Sequence, residues 1–367
     1  MMNSRYMNTR HIFLTVAMGL PLLCAAQTTQ KFTASKANEY GLVYSLPLTE
    51  IDITVEAEHT ERTPGEFYNY ARRHLGISDA ITEASNTVTV KSVTIAIHGV
   101  ANPENQWMVQ FKSGTPVSML LNDQGQPLAI NSDVTASTET PVLPVANPRQ
   151  PTVLETEAAR QAMTQDMIRS SSISKRAELA AQRIFELRDM RSDLLSGQSD
   201  NPPADGQAMK LVLDNLAGQE EALTAMFAGT TSVWTDVETI TVRPDSTDIS
   251  SEVIARISPY EGIIDADNLA GAPLTMAMRI LERGQLPVND KGEAKKFPKG
   301  GVAYTIPGTA RVTVSYGGNI VGEADVPLAQ LGVTFGLDPS LFSNKKSPSM
   351  AQFDPATGAV VLIAPAE

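Results

Sequence analysis

The chain has 367 residues, 29 basic against 41 acidic, a formal charge of −12, and a single cysteine, Cys24. One cysteine excludes an intramolecular disulfide framework and cysteine-based zinc sites. The acidic balance, without a Lys/Arg block, makes nucleic acid and anionic lipid poor partners.

The chain opens "MMNSRYMNTRHIFLTVAMGLPLLCAAQ", with Arg5 and Arg10 ahead of an apolar run from Ile12 to Leu23. This pattern predicts a secretory signal peptide over residues 1–26, cut after Ala26, because the run is too short for a bilayer span of about 20 residues. Leu23 before Cys24 departs from a lipobox, so soluble export, periplasmic or secreted, is favoured over a lipoprotein. Removal of the leader would lower the basic count from 29 to 27 against 41 acids, so −12 becomes −14. It would also remove Cys24, and with it thiolate catalysis. No later segment is long and apolar enough to predict a transmembrane helix.

Residues 40–134 read as an α+β domain. Leu42, Tyr44 and Leu46 share one face at period two, and Ile51, Ile53 and Val55 do so beyond Pro47. "RTPGEFYNYARRHLG" predicts a helix with Thr63 as N-cap, Pro64 at N1, Glu66 closing a capping box and Gly76 as the stop. "TVTVKSVTIAI", "QWMVQFK" and "SMLLNDQGQPLAI" predict strands, the last with a turn at Asp123 to Gly125. Residues 135–151, rich in Thr, Pro and Val, predict a linker.

Residues 152–229 predict a helical hairpin. Ala177, Ala180, Ile184, Leu187 and Leu194 form one stripe; a second helix, capped by Asp205, runs through Met209, Val212, Leu213, Leu216, Leu223, Met226 and Phe227 to Gly229. The stripes have to be covered, by the flanking domains or by another chain. Residues 230–367 return to period two, with "SYGGN" and "DPATG" as hairpin turns, and predict a β-sandwich-like domain.

"GLVYSLPLT" from Gly41 returns as "GVAYTIPGT" from Gly301. Beyond the threonine, Ile51 and Ile53 stand opposite Arg311 and Thr313, whereas the apolar set of the second copy is Val312 and Val314. A one-residue slip of that kind turns the pattern to the other face of a sheet. Two related β-units and a chance recurrence of proline-ended strands both account for the echo.

Several chemistries are suggested and fail. Ser172-Ile-Ser-Lys175, Ser199-Asp200-Asn201 and Lys112-Ser113-Gly114 resemble the elements of penicillin-recognising serine enzymes, but the lysine-glycine element precedes the other two. His59, His74 and His98 lack metal-site spacing; His74 reads as a core or boundary residue. Asp265, Asp267 and Asn268 suggest calcium, but Leu269 breaks the loop pattern, leaving a turn. No nucleotide-binding or hydrolase-elbow motif is present. Carboxylate pairs leave no linear signature. Trp107 and Trp234, the only tryptophans, make a meagre carbohydrate platform. The expected catalytic, cofactor and metal sites are therefore none.

Together, "YGLVYSLPLTEIDITVEAE", "PGEFYNYARRHLG", "AAQRIFELRDMRSDLLSG" and "YTIPGTARVTVSYGG…FDPATGAVV" resemble an exported Bacteroidota family, domain of unknown function family 4831, over nearly the whole mature chain. The resemblance implies an envelope location and supplies no activity, cofactor or site. The expected function is a non-catalytic binding or scaffolding module whose partner is an envelope protein or glycan. The alternative is an envelope hydrolase acting on glycan or peptide through paired carboxylates.

Overall fold

The computed structural model describes residues 41–109, 117–133, 135–136, 141–199, 203, 206–343 and 347–366. The expected leader, the Asp205 cap and Lys112 to Gly114 lie outside them. Residues Leu42–Glu367 form one compact unit, mixed α and β, and its sheets are antiparallel.

Strand β1 (Leu42–Thr63) pairs along its length with β2 (Ser85–Val109), and on its other side with β5 (Thr230–Val242). The expected N-terminal and C-terminal segments therefore share a sheet. The second sheet runs β10 (Asn319–Leu337), β9 (Val302–Tyr316), β8 (Ala272–Glu282), β6 (Ile249–Ser258), β7 (Gly262–Ile264). Alternation explains how the two sheets meet. Ile51, Ile53 and Val55 leave β1 on one face and are fully buried against Leu274, Met276, Val312, Val314 and Leu328 of the second sheet. The opposite face of β1 carries Glu50, Asp52, Glu56 and Glu58. A third sheet joins two small hairpins in the order β12 (Val360–Pro365), β11 (Ser349–Phe353), β4 (Pro127–Ile130), β3 (Met119–Leu121). It covers a separate core around Tyr44, Leu46, Phe342 and Phe353.

The echoed stretches occupy matching places. Ser45 N–H donates to Gly125 O at 2.9 Å, and Thr305 N–H to Gly358 O at 3.0 Å. Both acceptors are turn glycines of the small hairpins, at φ 75° and 72°, a region open mainly to glycine. Each long strand also meets an excursion of its partner. Ser45 pairs with Gln106 and Pro47 with Ala101, so Asn102 to Asn105 bulge out; Ile306 pairs with Val333 and Gly308 with Leu328, so Ala329 to Gly332 bulge out. The two hairpins then join through Ala351 opposite Ile130. The echo marks two β-units of equivalent construction.

The capping-box expectation at Thr63 is overturned. Thr63 ends β1 opposite Thr230, Gly65 lies so close to Met226 O that a Cβ would sit 2.2 Å from it, and Glu66 pairs with Arg176 at 2.7 Å. Sheet pairing and docking on the second long helix thus displace the local helix signal, leaving α1 at Ala71–Leu75, which ends at Gly76 as expected. The helical region begins with α2 (Glu157–Ala162) and α3 (Gln165–Arg169), separate because Thr164 caps α3 and Ser172 caps the next helix. The long pair is α4 (Ile173–Ser196) and α5 (Gly206–Ala228). Ala177, Ala180, Ile184 and Leu187 are buried with Phe67, Met167, Leu223 and Phe227, so the stripe of α4 is covered by its own chain. Leu194, Met209 and Val212, nearer the tip, remain partly or largely exposed.

Candidate functional site

Of the serine-enzyme elements, Lys112 to Gly114, Asp200 and Asn201 lie outside the described residues, and Ser172 to Lys175 opens a helix. Ser172 Oγ accepts Lys175 N–H at 3.4 Å as a helix cap, and Lys175 Nζ reaches Glu178 at 3.0 Å. The Asp265 loop is an ordinary turn: Asn268 N–H donates to Asp265 O, while the Arg256 guanidinium holds Ala266 O and Gly271 O at 2.9 and 3.1 Å. Among the described residues no group of three or more His, Cys, Asp or Glu side chains is placed to hold a metal ion. His74 is a boundary residue beside the rings of Tyr70 and Phe227.

Two histidines meet carboxylates that sequence spacing could not show, His59 one and His98 two. Buried His59 stacks on Trp234, centroids 4.7 Å apart, and its Nε2 lies 2.6 Å from Asp236 Oδ2, near enough for an ion pair but without hydrogen-bonding alignment. Gly262 closes the space beside the ring, where a Cβ would come within 2.9 Å. On the outer face of the same sheet, His98 Nδ1 lies 2.6 Å from Asp52 and Nε2 3.1 Å from Glu50. The Thr241 hydroxyl donates to Asp52 at 2.7 Å and Arg243 Nε to Glu50 at 2.7 Å. Both His98 nitrogens and both carboxylates are thus committed to one another. This is a polar clasp across β2, β1 and β5, without the free nitrogen a general base requires.

A groove of about 850 Å³ opens between the two sheets. Among the described residues β2 is an edge strand of one sheet and β10 of the other. They touch where Gly322 meets Val93, close enough that a Cβ would lie 2.9 Å from the Val93 side chain. Beyond that contact Ile95 and Ile97 face Val326, with Ala356, Ala359 and Val361 continuing the apolar wall. Its two carboxylates are engaged. Asp325 takes Arg311 through both oxygens at 2.7 and 2.9 Å, which holds its carboxyl below the usual aspartate range. Asp354 accepts Ala356 N–H and the Thr357 hydroxyl. Among the described residues, what remains for a ligand is apolar surface and two strand edges without a further partner, an arrangement suited to an extended backbone. Sequence reasoning missed this groove because it is made by the edges of strands some 230 positions apart, Ile95 and Asp325 among them.

Fold and groove define an α+β protein built on paired antiparallel sheets, with a strand-lined cleft and no assembled catalytic group among the described residues. The model of the family described as domain of unknown function (DUF4831) matches residues 40–361, and the chain belongs to that family. No curated protein and no solved structure matches.

Proposed function

We propose that this protein is an exported, non-catalytic binding module of the cell envelope that holds an extended polypeptide segment by strand addition in the groove between β2 and β10. The leader pattern of residues 1–26 supports export to the periplasm or beyond. Among the described residues no helix is long and apolar enough to cross a membrane. The observation that carries the reading is the pair of open strand edges facing across apolar walls whose polar side chains are already satisfied. An added strand takes its affinity from main-chain hydrogen bonds and its specificity from alternate side-chain pockets. The lining carries Asp325 and Asp354 and no cationic side chain, which suits a segment with an apolar centre and neutral or basic ends.

The hydrolase alternative gains little support. Among the described residues, the carboxyls of Glu155, Asp325 and Asp338 are held below their ordinary range, by the Thr152 N–H, Arg311 and the Ser340 N–H respectively. An acid catalyst requires the opposite direction. Trp107 stacks on Phe297 and Trp234 on His59, so each tryptophan already has one face committed.

The test is selection of displayed peptides against the folded mature chain, followed by hydrogen exchange of the complex. Protection of amides in Ile95–Ile97 and Asp325–Val326 supports the reading. Val361→Arg, at a side chain 59% exposed, should weaken capture about tenfold with unfolding unchanged. Protection elsewhere, or undiminished capture by that variant, would refute it.

A further inference from the structure

The segment Arg283–Gly300, between β8 and β9, reverses the charge of the chain. It carries Arg283, Lys291, Lys295, Lys296 and Lys299 against Asp290 and Glu293, five cations to two anions, whereas the chain as a whole stands at −12. The Arg283 guanidinium is tied to Ser246 O at 2.7 Å. The four lysine side chains are exposed, and among the described residues none has an ion-pair or hydrogen-bonding partner for its ammonium group.

This segment is built, not slack. Asn289 N–H donates to Glu293 O at 2.8 Å and Lys295 N–H to Pro287 O at 2.7 Å, and Val288 bridges Ala294. Asn289 Oδ1 accepts the N–H groups of Lys291 and Glu293, and Gly292 takes φ 78° in the turn. Large apolar side chains stand among the lysines: Leu286 is 40%, Val288 59% and Phe297 40% exposed. The Phe297 ring is fixed by stacking on Trp107, centroids 5.5 Å apart at 11°, and lies edge-on to Phe335.

We propose that this hairpin docks the protein on a bilayer bearing anionic headgroups. Lysines spread along a hairpin do not converge on one small anion, but they match a plane of phosphates. Fixed apolar side chains between them suit the headgroup boundary, where a partly exposed aromatic ring is at home. The rest of the acidic chain is repelled by such a surface, so attachment would be oriented with the hairpin inward. The charge pattern "KGEAKKFPKG" from Lys291 to Gly300 is visible in the sequence, yet the reading that the chain lacks a Lys/Arg block passed over it. What changes that reading is the hairpin, which among the described residues leaves the four lysine side chains without partners and sets apolar side chains beside them.

Sedimentation of the mature chain with lipid vesicles tests the proposal. Binding is expected to phosphatidylcholine vesicles containing phosphatidylglycerol at low salt, to fade as salt is raised, and to be absent on phosphatidylcholine alone. The triple variant Lys295→Gln, Lys296→Gln, Lys299→Gln should keep its unfolding curve, since no ammonium group there has a partner among the described residues. It should lose affinity on the order of a hundredfold. Absence of binding to phosphatidylglycerol vesicles, equal binding to neutral ones, or an unaffected triple variant overturns the proposal. So does displacement by inorganic phosphate under conditions where sodium chloride of equal ionic strength has no effect, which would identify a discrete phosphate site. Binding of a nucleic acid duplex in preference to the vesicles would also overturn it.

Discussion

Thr49 offers the sharpest test of how the sheets are held together. It is fully buried, and its hydroxyl donates to Ala356 O at 2.9 Å while accepting Ala329 N–H at 3.0 Å. Its backbone is clamped by Gln330, which accepts from Thr49 N–H at 3.1 Å and donates to Thr49 O at 2.9 Å. Thr49→Val keeps the shape of the side chain but leaves the half-buried Ala329 N–H and the buried Ala356 C=O without their partner. At about 1–3 kcal/mol for each orphaned group, the variant should lose about 2–6 kcal/mol, a large share of a typical stability of about 5–15 kcal/mol. Its echo, Thr309, is half-buried, and its hydroxyl has no hydrogen bond among the described residues. Thr309→Val should therefore stay within about 0.5 kcal/mol of the parent. Urea unfolding followed by the fluorescence of Trp107 and Trp234 measures both, with unchanged slopes confirming a common unfolded state. Equal costs for the two variants, or a loss at Thr49 below about 0.5 kcal/mol, would refute the assignment of the hydroxyl as a buried cross-link.

Ser172→Ala should cost about 0.5–2 kcal/mol as a lost helix cap and leave complementation of a deletion strain intact; a folded, abundant variant that fails to complement would return Ser172 to a chemical role. Ile184→Ala, in the covered stripe of α4, should cost about 2–5 kcal/mol, whereas Leu195→Ala, at 66% exposure, should fall within about 0.5 kcal/mol; paired urea curves decide. Because Arg311 lowers the Asp325 carboxyl, that pair contributes above the ordinary aspartate range and its contribution is lost as pH falls through the lowered value. Unfolding of Asp325→Asn relative to the parent should thus differ at pH 7 and converge in strong acid; a difference that grows on acidification contradicts the ion pair.

The period-two and helical patterns were legible wherever a residue's own neighbours decide its face. Ile51, Ile53 and Val55 were expected together and are buried together, and Ala180, Ile184 and Leu187 form the expected stripe. Local signals failed where a distant element outbid them. The capping box at Thr63 is well formed as a sequence, but a ladder partner at Thr230 and a backbone contact at Met226 decide that segment, and no local pattern encodes either. The same holds for the sheet that β1 shares with β5, and hence for the groove, whose walls come from opposite ends of the chain. The histidine clusters were hidden for a related reason: His98 meets Glu50 and Asp52 only because β2 folds back on β1 in one register.

The one-residue slip in the echo now has a physical cause. In the first unit the partner's excursion is centred on Leu46, so regular pairing resumes at Pro47. In the second it is centred on Pro307, one position later in the alignment, and pairing resumes at Gly308. Counted from where pairing resumes, Ile51 and Val312 fall at the same step, as do Ile53 and Val314. Both pairs enter the same core from facing sheets. An excursion moved by one residue would otherwise turn every following side chain to the wrong face. The apolar pattern has moved with it, which is what a sequence must do to keep two equivalent β-units packed against each other. The departure from the repeat is thus a consequence of the repeated architecture, and the chance-recurrence account of the echo offers no reason for the two offsets to agree.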